Sequence, residues 1–294
     1  MIPPVRRVTH IFQPGIVSAD KIGPNHLHGG NPNTDYLADS LELLPEKTIW
    51  WARKRTLILS DLHLGKAGHF RKSGLAAPGQ INEDNLNRLT RLLQLHPSDR
   101  LLILGDLFHS TQNREWDDFA AWRMQYPELT VQLVAGNHDL LPPALYRSAD
   151  IATCPSLLEP PFLFLHDASH SERTEAMNRL TLHSAKDRVN KDHMPEQLTP
   201  EHHTQKDLAH EDLAPEDLAP ERIPFTISGH VHPGIRLRGK GRQSMRLPCF
   251  FARQNGILLP AFGTFTGLHI LKPAPDDQVF AIAEQSVIPI RHQP

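Results

Sequence analysis

The sequence predicts an α/β fold joined to a second, largely antiparallel sheet. Three observations predict it. Apolar runs of strand length alternate with helix-period segments between residues 48 and 166. Four of those runs lead into Asp, Asn or His, at the strand end where parallel sheets present ligands. Beyond residue 223 the pattern changes to short alternating runs separated by Gly, Pro or polar turns.

Residues 1–36 are rich in Pro, Gly and His with little periodicity, and are expected to form a loose N-terminal extension. The ordered domain is expected over 37–167 and 223–294. Residues 48–51 read as a strand, with Arg53-Lys54-Arg55 turning the chain into a second strand at 56–60. Residues 79–96 read as a helix. Leu86, Leu89, Leu92 and Leu93 recur at helical spacing, Asn82 can cap, Glu83 and Asp84 suit the first turn, and Pro97 stops it. Residues 100–104 form a buried strand ending in Gly105-Asp106. Trp116, Phe119 and Ala120 mark a second helix that closes before Pro127. Strands at 130–135 and 162–165 end in Gly136-Asn137-His138-Asp139 and in His166. A strand at 224–227 ends in Ser228-Gly229-His230-Val231-His232. Runs at 234–238, 245–252, 257–261, 268–271 and 279–284 supply the second sheet.

Residues 168–222 interrupt this pattern. They contain no aromatic residue, and their 12 acids against 7 Lys and Arg give −5. The stretch KDLAHEDLAPEDLAPE is a five-residue near-repeat. Such a segment cannot bury enough surface to offset its ordering entropy, so it is expected to be a disordered acidic insertion. The whole chain carries −2, so the remainder carries +3 and is mildly basic. The 294 residues hold two cysteines, Cys154 and Cys249, which excludes a disulfide framework and a cysteine zinc site. The N-terminus lacks the apolar region of a signal peptide, and no apolar run is long enough to span a membrane. A cytoplasmic setting is expected.

Five strand ends thus offer Asp61 and His63, Asp106, Asn137 and His138, His166, and His230 and His232. This set holds oxygen and imidazole donors and no thiolate, which suits Mn²⁺, Fe or Zn²⁺. These eight residues are too many for one ion and enough for two that share a carboxylate. Asp106, central in the series, is the natural bridge. Two cations roughly 3.5–4 Å apart form a clamp for phosphoryl transfer.

Asp61-x-His63, Gly105-Asp106, Gly136-Asn137-His138-Asp139, His166 and Gly229-His230-x-His232 together resemble the five metal motifs of calcineurin-like metallophosphoesterases. The longer stretches LSDLHLGKAGHFRKSG, LGDLFHS, GHVHP and LPAFGTFTG resemble the bacterial ligase-associated DNA-damage-response endonucleases of that superfamily. The resemblance implies a four-layer α/β/β/α sandwich, two mixed sheets flanked by helices with metals at one edge. It implies two divalent metal ions, with Mn²⁺ expected and Fe or Zn²⁺ as alternatives. Asp61, His63 and His232 would hold one ion, Asn137, His166 and His230 the other, with Asp106 between them. His138 would donate a proton to the leaving oxygen or stabilise the transition state, and a hydroxide held between the metals would attack phosphorus. His109 stands three residues after Asp106, where phosphatases of the superfamily place aspartate. Histidine there resembles the repair nucleases, in which it assists His138, and support through a hydrogen bond is its alternative role. The resemblance also implies DNA as substrate, a link to repair, and ligase or helicase partners.

Arg236, Arg238, Lys240, Arg242 and Arg246 lie within eleven residues that contain no acid. On a strand Arg236 and Arg238 would share one face and suit phosphate contacts. Lys66, Arg71 and Lys72 follow the first metal motif and could also meet phosphate. The same residues leave open a phosphomonoesterase, a cyclic-nucleotide phosphodiesterase, or a catalytically silent scaffold.

Overall fold

The computed structural model describes residues 8–14, 40–66, 80–109, 114–179, 224–239, 241 and 243–291. The chain divides into two units, residues 1–168 with 224–294, and residues 169–223.

The first unit is built on two mixed sheets. In the first sheet β1 (His10–Phe12), β2 (Leu41–Leu44), β3 (Thr48–Trp51) and β4 (Thr56–Leu59) pair antiparallel in that order. β4 then runs parallel to β5 (Arg100–Leu104), β6 (Thr130–Val134) and β7 (Ile151–Cys154). The central strands are apolar throughout because both faces are covered. Leu57, Leu59, Leu101, Ile103, Val131 and Leu133 face the helices, whereas Ile58, Leu102, Leu104 and Val134 face the second sheet.

Helix α1 (Ile81–Leu95) buries Leu86, Leu89 and Leu92 on the first sheet, as the spacing predicts. It ends at His96, since the residue before a proline disfavours the helical region. Asn82 does not cap it. The N-cap is Gln80, without a side-chain bond, and Asn82 Oδ1 instead accepts Gly65 N–H at 3.2 Å, tying the helix to the loop after β4. Helix α2 (Arg114–Arg123) turns Trp116, Phe119 and Trp122 to the same core, and Trp122 Nε1 donates to Thr90 Oγ1 at 3.0 Å. Helix α3 (Pro143–Ser148) adds Tyr146. Every described helix of this unit precedes β8, so helices flank the first sheet, and the expected fourth layer falls outside what is described of this unit.

The second sheet contains β8 (Leu157–Glu159), β9 (Phe162–Leu165), β10 (Phe225–Ser228), β11 (Pro233–Arg238), β12 (Ser244–Arg253), β13 (Gly256–Leu258), β14 (His269–Ile270), β15 (Gln278–Ala283) and β16 (Ser286–Ile290). It is largely antiparallel, as expected, with parallel pairs within it. β9, β10 and β13 run parallel, and so do β11 and β14. Trp51, Phe162, Phe164, Phe250 and Phe280 fill the space between the sheets, with Trp51 edge-on to Phe162 at 5.0 Å.

The extension expected to be loose contributes a strand. β1 pairs with β2, and Val8 stitches the first sheet to the second: its N–H donates to Gln285 O and its carbonyl accepts Val287 N–H, both at 2.9 Å. His10 and Phe12 pack on Phe280 with ring centroids 4.6 and 5.8 Å away. Burial of these rings anchors the segment. Residues 15–39 lie outside the described residues.

In the second unit, residues 170–179 are helical. Thr174 Oγ1 bonds His170 O at 2.8 Å, and Glu175 pairs with Arg179 one turn on at 2.8 Å, support that an acid and a base four apart give a helix. The rest of the expected insertion lies outside the described residues.

Candidate metal centre

β4, β5 and β6 of the first sheet run parallel to one another, as do β9 and β10 of the second, so their C-terminal ends share one edge of the unit. Asp61, His63, Asp106, Asn137, His138, His166, His230 and His232 all follow those ends. Asp61, His63, Asp106, His230 and His232 have φ of 54°, 49°, 52°, 66° and 51°. Such left-handed geometry costs a residue with a Cβ about 1–2 kcal/mol. Backbone bonds hold it: Asp61 N–H donates to Gly105 O at 3.1 Å, His63 N–H to Asp106 O at 2.9 Å, and His269 N–H to His232 O at 2.9 Å. The Phe262-Gly263 segment grips the same loop, with Phe262 N–H on Ser60 O at 2.9 Å and Gly263 N–H on Asp61 O at 3.0 Å. Gly105 is required, because a Cβ there would lie 2.1 Å from His166 Nδ1.

The donors form two clusters. In the first, His232 Nε2 is 3.2 Å from Asp61 Oδ1 and 3.3 Å from His63 Nε2. In the second, His166 Nε2 is 3.5 Å from Asp106 Oδ1, 3.0 Å from Asn137 Oδ1 and 3.1 Å from His230 Nδ1. Asp106 reaches both, since its Oδ2 lies 3.7 Å from His63 Nε2. Asp61, His63, Asp106 and His166 are at most 6% exposed.

The chemistry of these donors fits cations. His166 donates Nδ1–H to Leu104 O at 2.9 Å, which leaves Nε2 as a lone pair facing two oxygens. Burial first, and then the nearby Lys66 charge, push His63 down to about 3, so its ring is neutral. Asp61 Oδ1 is buried without a hydrogen-bond donor. Burial opposes ionisation of Asp61, but His232, His166 and Ser60 outweigh it and hold the carboxyl below its ordinary range. Lone pairs that converge with too few protons between them are what a divalent ion satisfies.

His138 and His109 stand beside these clusters. His138 N–H donates to Asp106 Oδ1 at 3.0 Å, and its ring lies 5.7 Å from that of His63 and 5.0 Å from that of His109. Arg236 and Arg238 are exposed on one face of β11, four and six residues past His232. Arg71 lies outside the described residues.

Asp139, the last residue of the Gly136-Asn137-His138-Asp139 motif, serves the site through its backbone partners. Its buried carboxylate accepts Asp106 N–H and Gly136 N–H at 2.8 Å and Leu107 N–H at 2.9 Å, locking the Asp106 and Asn137 loops together. Burial, reinforced by the Asp106 charge, raises it to about 6 despite those bonds. An Asp two residues after a ligand in a Gly-Asn turn is the available signal, since Asp commonly accepts backbone N–H groups there. Asn85 and Arg88 lie on α1, where helical spacing alone gives them no further role. Asn85 Oδ1 accepts Thr264 N–H at 3.3 Å, and the Arg88 guanidinium bonds Phe262 O and stacks 4.0 Å from the Phe262 ring. Together they clamp the segment that grips Asp61.

Comparison with known proteins agrees with this geometry. The family model for calcineurin-like phosphoesterases matches residues 54–234. Among solved structures, the Pseudomonas putida nuclease MPE is 28% identical with a TM-score of 0.56, over 86% of this chain and 96% of that one. An Aquifex aeolicus protein of unknown function, AQ665, is 16% identical with a TM-score of 0.30, over 44% of this chain and 73% of that one. Curated proteins gave no match. With the matched span covering both sheets' ligand-bearing strand ends, the chain belongs to the calcineurin-like phosphoesterase family, metal-dependent hydrolases of phosphoric esters.

Proposed function

We propose that this protein hydrolyses phosphodiester bonds in DNA with two divalent cations, Mn²⁺ foremost, and that it serves DNA repair. The observation that carries the reading is the Asp106 carboxylate set between the Asp61, His63, His232 cluster and the Asn137, His166, His230 cluster. The oxygen and imidazole donor set supports Mn²⁺ over a soft metal. Likeness to a protein described as a nuclease, with histidine at position 109, supports a nucleic-acid diester. The repair role and any ligase or helicase partner rest on motif resemblance.

Cations held there would neutralise charge on the phosphate oxygens and acidify the attacking water. The chain's own part is positioning and proton transfer. Asp106 fixes His138 through its backbone N–H, so the half-buried imidazole stands beside the shared carboxylate without joining either cluster. From there it would donate a proton to the leaving oxygen. His109, its ring tilted 32° to that of His138, would keep that imidazole in place. Among the described residues no helix is long and apolar enough to cross a membrane.

The test is hydrolysis of single-stranded DNA, duplex DNA and a chromogenic diester by protein loaded with Mn²⁺. Cleavage of a DNA substrate that is lost on chelation is expected. Hydrolysis of phosphomonoesters alone would overturn the diester reading.

A further inference from the structure

We propose that the β11–β12 hairpin is a second substrate site, a track for backbone phosphates several nucleotides away from the bond being cut. This rests on the reading of the protein as a DNA phosphodiesterase.

The hairpin leaves the metal edge directly, because β11 starts one residue after His232. Along it, Arg236 and Arg238 are exposed while Ile235 and Leu237 turn to the apolar cluster on the other face. In the antiparallel register Arg236 lies directly opposite Arg246, which is also exposed. Like charges directly opposite destabilise a strand pair, so three arginines on one face are a cost to folding that a bound anion would remove. Among the described residues no carboxylate offsets them. Residues 222–275 contain no Asp or Glu, and among the described residues none of the three arginines makes an ion pair. The one ion pair of this stretch joins Arg253, at the far end of β12, to Asp277.

Spacing points to a strand of phosphates. Arg236 and Arg238 sit roughly 13 and 20 Å along the extended chain from His232 and about 7 Å from each other. Each can therefore meet a different phosphate of one strand, and the planar guanidinium suits bidentate contact with phosphate oxygens. The first contact falls roughly two to four nucleotides from the metal edge, given about 3.4 Å of rise per nucleotide in a duplex and more in an extended strand. A mononucleotide ester is too short to touch both places, whereas a polymer spans them.

The experiment uses the full-length protein and the variant R236Q/R238Q/R246Q. Binding of a fluorescent oligodeoxynucleotide is followed by anisotropy against salt, and kcat/KM is measured for the oligonucleotide and for bis(p-nitrophenyl) phosphate with Mn²⁺. The variant should bind at least tenfold more weakly. Its slope of log K against log salt should be shallower by about 2–3, since each phosphate contact contributes roughly 0.7–0.9. The ratio of oligonucleotide to small-ester kcat/KM should fall at least tenfold, and R236K/R238K/R246K should restore the slope. Unchanged affinity and slope would overturn the proposal. If the triple variant does not melt cooperatively, Arg238→Gln alone must reduce the slope by about 0.7–0.9, or the track is refuted. Wild-type protein that binds with the steep slope but cleaves no diester would refute the proposed activity and leave the track standing.

Discussion

The two sheets make unequal contributions to the metal edge. The first supplies both carboxylates and the amide, Asp61, Asp106 and Asn137, with one imidazole, His63. The second supplies imidazoles only, His166, His230 and His232. Each cluster takes donors from both, Asp61 and His63 with His232, and Asp106 with His166 and His230. Neither sheet can therefore hold an ion alone. The difference teaches that charge neutralisation would fall to the first sheet, while the second would close the coordination shell of any ion held there.

The largest expected effect breaks the first sheet's share. Asp106→Asn should lower diester turnover at least a thousandfold, about 4 kcal/mol of barrier, and a kinetic assay with Mn²⁺ in excess checks it. Next, the docking of the sheets can be loosened from within. Phe164→Ala should cost about 3–5 kcal/mol in denaturant melts and weaken Mn²⁺ binding. Leu89→Ala, on α1 where it packs against the outer face of the first sheet, should cost about 2–5 kcal/mol and leave Mn²⁺ affinity as it was, read by calorimetric titration. Third, Mn²⁺ at a hundredfold excess over its dissociation constant should stabilise the protein by about 2.7 kcal/mol per site, seen as a rise in Tm over chelated protein. His232→Ala and His166→Ala should each lose about half of that rise, and an equal rise in both variants and wild type would refute the division of ligands between sheets.

The smallest effect belongs to the first sheet alone. Burial first, and then the Arg88 charge, lower Lys47 to about 8. Its folded pKa lies below the unfolded value, so the unfolded chain holds the extra proton between about pH 8 and 10.4. Stability should rise with pH through that window, by about 2 kcal/mol, and Lys47→Met should flatten the rise in melts from pH 8 to 10.

Much of the site was legible because each ligand motif follows an apolar run, and parallel strands bring such ends together. Gly105-Asp106 and Gly229-His230-x-His232 needed no knowledge of distant partners. What stayed hidden depended on pairing across the chain. β1 is three residues whose identity as a strand rests on Leu41–Leu44 and on the Phe280 ring. β16 carries Pro289 and lies at a sheet edge, where a missing donor is tolerated. The parallel pairing of β10 with β13 joins Thr226 to Gly256, thirty residues on, and alternation alone does not report strand direction. Asp139 was hidden for another reason, since its partners are backbone N–H groups that leave no side-chain signature.

The left-handed backbone at five ligand positions has a consequence for how this centre can change over time. Glycine is the residue most at ease in that conformation. At exposed His230, with φ of 66°, a glycine would relax the loop and delete a donor in one step. The easiest route to a sturdier rim is thus also a route to a rim with one donor fewer.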